Sequence, residues 1–182
     1  MSWKASTGRY GAVAIFIHWV SAAAILAMFA LGFMAANAAD PTTQAALLRF
    51  HVPLGLIVLI LTVLRLLWWL VDRRPAPLAD QPRWQITTER MVRILIYVAI
   101  LIMGASGIAL VVLSGAGAIL FFGAPGPLPD FWHFAPMRGH LAAAIVLLAL
   151  AGLHIVAALH HQFYRRDRLL ARMGLGARDP VS

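Results

Sequence analysis

The chain has no cysteine, and only 7 of its 182 residues are acidic. The first absence excludes disulfides, thiolate metal centres and haem attached covalently through C-x-x-C-H. The second leaves the long apolar runs without carboxylates, so zinc or copper centres of the usual mixed-ligand kind find no donors there. Charged residues of any sign make up 12% of the chain against 62% hydrophobic ones, and the mean hydropathy is +0.82. That composition lies outside the range of soluble globular domains and points to an integral membrane protein. There is no internal repeat and no low-complexity tract.

Apolar stretches long enough to cross a hydrocarbon core of roughly 30 Å recur near 11–36, 51–71, 91–113 and 139–164. They predict an all-α chain, a single domain over 1–182 built as a membrane four-helix bundle, with helices at about 11–36, 43–71, 88–113 and 138–164. The first run is too long for a signal-peptide core and is interrupted early by a histidine, so it is expected to be a retained helix. Basic residues fix the expected orientation. Lys4 and Arg9 precede helix one; Arg73, Arg74, Arg83, Arg90 and Arg93 lie in or beside the second loop; Arg165, Arg166, Arg168, Arg172 and Arg178 follow helix four. Both termini and the second loop are therefore expected on the cytoplasmic side of the membrane. The net charge of +8 arises mostly from this bias and calls for no nucleic-acid partner.

Proline and glycine mark the breaks. Asp40-Pro41-Thr42-Thr43 ends helix one and is expected to cap helix two through threonine oxygens, so helix two begins before His51, with Pro53 able to kink it. Arg73-Arg74-Pro75-Ala76-Pro77 stops it. The segment 115–136, with Pro125, Pro127, Pro129, Pro136 and the aromatics Phe121, Phe122, Phe131, Trp132 and Phe134, is expected to be an irregular interfacial lid on the outer surface. The basic tail from Arg165 to Arg172 reads as a lipid-headgroup anchor.

Four histidines, His18, His51, His140 and His154, fall inside or at the rims of the apolar runs, where a polar side chain is costly unless something binds it. His140 and His154 are fourteen residues apart, which on a helix is roughly 21 Å along one face. Helix two descends from outside with His51 level with His140, and helix one rises to His18 at the depth of His154. Two pairs result, each able to supply both axial nitrogens of a non-covalent b-type haem iron. Gly55, Gly139 and Gly152 leave room nearby. A lone histidine would read as a hydrogen-bonded core group or a proton relay; two matched depths favour ligation.

Arg65, fourteen residues after His51, either pairs with inner-haem propionates or another anion, or snorkels to the headgroups. His160 and His161 read either as an interfacial pair or as groups that hydrogen-bond or protonate a quinone. Arg49 and Arg138 each stand two residues before an outer histidine, where they pair with propionates, hold helix ends or attract a small anion. His133 reads as a surface residue.

The segments Ile17-His18-Trp19, Phe50-His51-Val52, Arg138-Gly139-His140, Leu153-His154, His160-His161-Gln162-Phe163-Tyr164 and Leu169-Leu170-Ala171-Arg172-Met173 resemble the bacterial cytochrome b561 family over almost the whole chain. The resemblance implies a dihaem b-type membrane cytochrome, with His18 and His154 on the inner haem iron and His51 and His140 on the outer. The chain is most similar to the short stand-alone members that oxidise superoxide at the periplasmic side and pass the electron to ubiquinone. Carried over, superoxide is guided by Arg49 and Arg138, and ubiquinone is reduced near His160 or His161. Two other readings remain open at this point: an electron-relay subunit serving a periplasmic redox protein, and a colourless proton-coupled transporter.

Overall fold

The computed structural model describes residues 2–72, 74–76, 81–167 and 169–176. Arg73, Arg168 and Arg178 of the charge count, and Pro77 of the helix-two stop, lie outside the described residues. The order of elements is α1 (Ala12–Ala36), α2 (Pro41–Val71), α3 (Arg83–Leu113), a short α4 (Ala116–Phe121), a 3₁₀ turn (Phe131–His133), α5 (Pro136–Leu159), a π-helical turn (His160–Tyr164) and α6 (Leu169–Arg172). No strand occurs among the described residues. Four helical spans are long and apolar enough to cross a membrane: α1, α2, α3, and α5 with its π turn.

The long helices overrun their apolar windows because a helix continues as long as its caps and turn residues permit, whatever the solvent. Thus α3 starts at Arg83, behind Pro82, and α5 starts with Pro136 in its first turn. The cap of α2 is Asp40 rather than a threonine, a correction to the sequence reading: its carboxylate accepts from the Thr43 amide at 2.8 Å and from the Thr43 hydroxyl at 2.6 Å. The charged carboxylate is the better acceptor, and the threonine becomes the donor. Those bonds, the hydroxyl foremost, hold the Asp40 carboxyl below the ordinary carboxylate range. Pro53 lies inside α2 without ending it.

The segment 115–136 is not wholly irregular. Gly115, at φ 70°, turns the chain out of α3, and the next six residues, ahead of the first proline, form α4. Breakers act only where they stand, and here they begin at Pro125. The Asp130 carboxylate then caps the 3₁₀ turn through the Trp132 amide.

Helix α1 packs along α2 and α3 along α5, with a lesser contact between α2 and α3. Large side chains point outward, as in Phe33 (73% exposed) and Leu70 (82%), which suits a lipid solvent. The buried centre is small: Val58, Ala99, Ile100 and Leu147, surrounded by Met28, Phe29, Ile96 and Met103 among others. Val58 is seven residues from both His51 and Arg65, and Leu147 is seven from both His140 and His154. The core therefore sits midway between the two histidine levels.

At one end the N-terminal segment, the residues after α2 and α6 are tied together. The Asp72 carboxylate accepts from the Ala5 amide at 3.0 Å and from Trp68 Nε1 at 3.1 Å. Arg172 donates to the carbonyls of Gly8 and Ala76, and Trp19 Nε1 donates to that of Met173. Arg172 of the basic tail thus binds the chain's own backbone.

Candidate functional site

The four intramembrane histidines meet in two pairs. The rings of His51 and His140 are 6.3 Å apart, centre to centre, inclined at 64°. Those of His18 and His154 are also 6.3 Å apart, inclined at 75°. Each pair spans helices that have no extended backbone contact with each other, α2 with α5 and α1 with α5. The rings face across slots between the α1/α2 and α3/α5 layers.

Those slots fit a b-type haem. Two imidazoles on one metal, with metal–nitrogen bonds of about 2 Å and ring nitrogens about 1.1 Å from their ring centres, have centroids about 6.2 Å apart. Neutral imidazoles hydrogen-bonded to each other would sit closer, and unpaired core histidines would have no reason to match at two levels.

Neighbouring groups orient the outer pair. His140 Nδ1 lies 3.1 Å from the Met103 carbonyl and 3.1 Å from Ser106 Oγ, so Nδ1–H donates to the carbonyl and Nε2 keeps its lone pair for a metal. His51 Nδ1 is buried without a hydrogen bond, the Met28 backbone lying beside it but out of bonding geometry. Two glycines absent from the sequence reading seat the rings. A Cβ on Gly107 would lie 3.3 Å from His140 Cε1, and one on Gly32 would lie 3.1 Å from His51 Cε1. Both glycines are one helix neighbour away from the histidine-bearing helix, so no spacing within a single segment marks them. Of the glycines expected to make room, Gly139 and Gly152 face open space, while Gly55 packs against Met28, where its missing side chain serves the contact of α1 with α2.

The inner pair is set among cations. Arg65 turns inward rather than snorkelling: its Nη1 is 2.9 Å from His18 Nδ1, and its Nε is buried without a partner. A guanidinium only donates, so His18 Nδ1 accepts here and the ring proton sits on Nε2. Ligation of a neutral His18 through Nε2 therefore requires Arg65 to let go, which frees it for an anion beside the ring. Arg93, read from sequence only as a loop charge, also lies within electrostatic reach of His154. Arg74 stacks on Trp69 at 3.7 Å, and burial, followed by the nearby Arg93, depresses its guanidinium. None of Arg65, Arg74 and Arg93 has a carboxylate partner among the described residues. Such a cluster has the chemistry to hold the carboxylate edge of a haem.

His160 and His161 separate clearly. His161 is 3% exposed and fully engaged, with Nδ1 2.8 Å from Asp167 Oδ2 and Nε2 2.7 Å from Gln85 Nε2. His160 is exposed and stacks on Tyr164 at 5.0 Å. At the opposite end Arg138 is exposed, and Arg49 donates from Nε to the Leu120 carbonyl at 2.9 Å, tying α2 to α4. Arg49 also borders a shallow apolar groove with Leu31, Phe50 and Pro53. His133 is exposed beside Asp130, 3.3 Å away.

Comparison with known proteins agrees with this geometry. A family described as prokaryotic cytochrome b561 matches residues 9–176. The chain is 28% identical to cytochrome b561 homolog 2 of Escherichia coli (strain K12) over 179 residues, covering 95% of each chain. It is 25% identical to cytochrome b561 homolog 1 of the same organism over 169 residues, covering 91% of this chain and 96% of the relative. With its four apolar helices and paired histidines, the chain belongs to the prokaryotic cytochrome b561 family, multi-pass membrane haem proteins that carry electrons across the bilayer.

Proposed function

We propose that the protein is a dihaem superoxide:ubiquinone oxidoreductase of the bacterial inner membrane, with both termini cytoplasmic. The observation that carries this reading is the repetition of one ring geometry at two levels, 6.3 Å in each, on helices that cross the bilayer. His51 and His140 hold the outer haem, and His18 and His154 the inner one, with Arg65 on its propionates. Bound there, the haems supply one-electron chemistry that side chains of this composition cannot. The exposed Arg138 and the neighbouring Arg49 give superoxide a cationic approach to the outer pair. At the inner end the exposed His160 and Tyr164 rings offer a surface for the quinone ring. Two superoxide anions, one quinone and two protons yield two dioxygen molecules and one quinol.

Purified protein is expected to contain two haems per chain, and His18→Leu and His51→Leu to lose one each. A superoxide flux should reduce short-chain ubiquinone faster than the uncatalysed background, and Arg49→Gln with Arg138→Gln should slow it and flatten its ionic-strength dependence. Absence of acceleration removes the enzymatic reading. The second reading, a relay subunit between quinone and a periplasmic redox protein, draws on the exposed aromatics of the outer segment, Phe122 at 86% and Trp132 at 57%. It is favoured if the protein is inactive alone and co-purifies with a periplasmic subunit.

A further inference from the structure

The π-helical turn after α5 closes a ring of four side chains. His161 Nδ1 bonds Asp167 Oδ2 at 2.8 Å, and His161 Nε2 bonds the Gln85 amide nitrogen at 2.7 Å. Gln85 Oε1 accepts from Arg165 Nη1 at 3.4 Å, and Arg165 Nε reaches back to Asp167 Oδ2 at 3.3 Å. The ring assigns every proton. An ionised Asp167 only accepts, so it takes Nδ1–H; Arg165 only donates, so it turns the Gln85 oxygen toward itself and the amide N–H toward His161 Nε2. His161 Nε2 is thereby capped by the Gln85 amide.

A second state is within reach of the same atoms. Glu89 Oε1 lies 3.8 Å from His161 Nε2, is itself about one-third exposed and accepts from Gln81 at 2.6 Å. A protonated His161 would therefore lie between two carboxylates, Asp167 and Glu89, with Arg165 as the one cation in the ring and the His160 ring 6.1 Å away. A purely structural tie has no need of two carboxylates on opposite edges of a buried imidazole. Nor does it need Asp167 Oδ1, which is buried without a partner. π turns of this kind recur at functional positions. His161 follows His154 by seven residues, which puts it about 10 Å beyond the inner pair.

We propose that His161 is the general acid for quinone reduction, with Asp167 as its positioning residue and Glu89 as the group that restores its proton. The inference rests on the quinone reading above. A quinone carbonyl oxygen, an acceptor, takes the place of the Gln85 amide at a protonated Nε2. His161 gives that proton to the oxygen, forming O–H; Glu89, reprotonated from water, returns a proton to Nε2; and the cycle runs twice as two electrons arrive from the inner level. Asp167 keeps Nδ1–H throughout and favours the imidazolium.

The test uses the haem-loaded protein, reduced anaerobically and mixed with a short-chain ubiquinone in a stopped-flow spectrophotometer across the neutral pH range. Reoxidation is expected to slow about 100-fold in His161→Gln and about tenfold in Asp167→Asn and Glu89→Gln. Quinone affinity, measured separately by titration calorimetry, should stay within about twofold in Asp167→Asn and Glu89→Gln, because the defect is in proton transfer. In Asp167→Asn the alkaline fall of the rate should move to lower pH, with Asp167→Glu restoring both rate and profile; a residue that only braces the turn would leave the profile in place. Wild-type rates and profiles in Asp167→Asn and Glu89→Gln overturn the proposal while the quinone reading stands. A wild-type protein that quinone does not reoxidise removes both.

Discussion

The glycine seats offer the most quantitative perturbation. In Gly107→Ala the added methyl would stand 3.3 Å from His140 Cε1 and 3.6 Å from Nδ1. Ordinary carbon contacts begin at about 3.5 Å, so the ring must move by roughly 0.2 Å. It is not free to do so, because Nδ1 is already held at 3.1 Å by both Met103 O and Ser106 Oγ, near the outer limit for such bonds. Overpacking of this size costs about 1 kcal/mol, which is roughly a fivefold loss of affinity at the outer level. Gly32→Ala makes a closer contact, 3.1 Å to His51 Cε1, but His51 Nδ1 has no hydrogen bond to oppose the shift, so its cost should be similar or smaller. Leucine at either position adds bulk that no small movement relieves and should empty the outer site. The assay is haem per chain by pyridine haemochrome together with the reduced spectrum of each variant. Haem per chain should fall from two toward one, with the inner spectrum retained. Full occupancy and an unshifted spectrum in both Gly32→Leu and Gly107→Leu would refute the assignment of these glycines as seats.

Asp72→Ala should strand the Ala5 amide and Trp68 Nε1, both now bonded to its buried carboxylate, and destabilise the N-terminal segment by about 2 kcal/mol. Limited proteolysis near residues 2–11 should speed up accordingly. Asp40 stabilises the start of α2 as a carboxylate, since its folded value lies below the ordinary one. That stabilisation is complete above the ordinary carboxylate range and is lost as pH falls through the lowered value, so hydrogen exchange at the Thr42 and Thr43 amides should rise only in acid, and at all pH values in Asp40→Ala. The inner haem should have the higher midpoint potential, and Arg93→Gln should lower that potential while leaving the outer one in place, as read by spectroelectrochemical titration.

Much of the site was legible because its determinants lie along single helices. The fourteen-residue interval from His140 to His154, and that from His51 to Arg65, are local facts that a helix converts into depth and face. What escaped notice lies across helix interfaces. Gly32 and Gly107 act on histidines of other segments, Gln85 meets His161 from 76 positions away, and Arg93 belongs to the inner pair only because α3 packs on α5. The short α4 was missed for a different reason: proline density was averaged over a segment whose first residues contain none. The exchange of roles between Asp40 and the threonines was missed because composition identifies a cap without saying which oxygen accepts.

The two levels, alike in ring geometry, differ in their surroundings, and the difference has a sign. Of the outer histidines, His140 is held by neutral groups, the Met103 carbonyl and Ser106, and His51 Nδ1 has no hydrogen bond, while Arg49 spends its Nε on the Leu120 carbonyl. The inner histidines lie beside Arg65 and within reach of Arg93, with no acidic side chain paired to either among the described residues. A unit charge at roughly 8 Å in a medium of effective dielectric about 20 is worth about 2 kcal/mol, enough to decide on which level an electron rests. Arg49 and Arg138, near the His51/His140 level, are exposed and screened by solvent, whereas the part-buried Arg65 and Arg93 act at the His18/His154 level, so the field favours negative charge there. Between them lie Val58, Ala99, Ile100 and Leu147, an apolar partition that keeps water and counterions from screening one level from the other. The same seven-residue stagger that puts Val58 and Leu147 at the midpoint thus preserves the difference in field between the two levels.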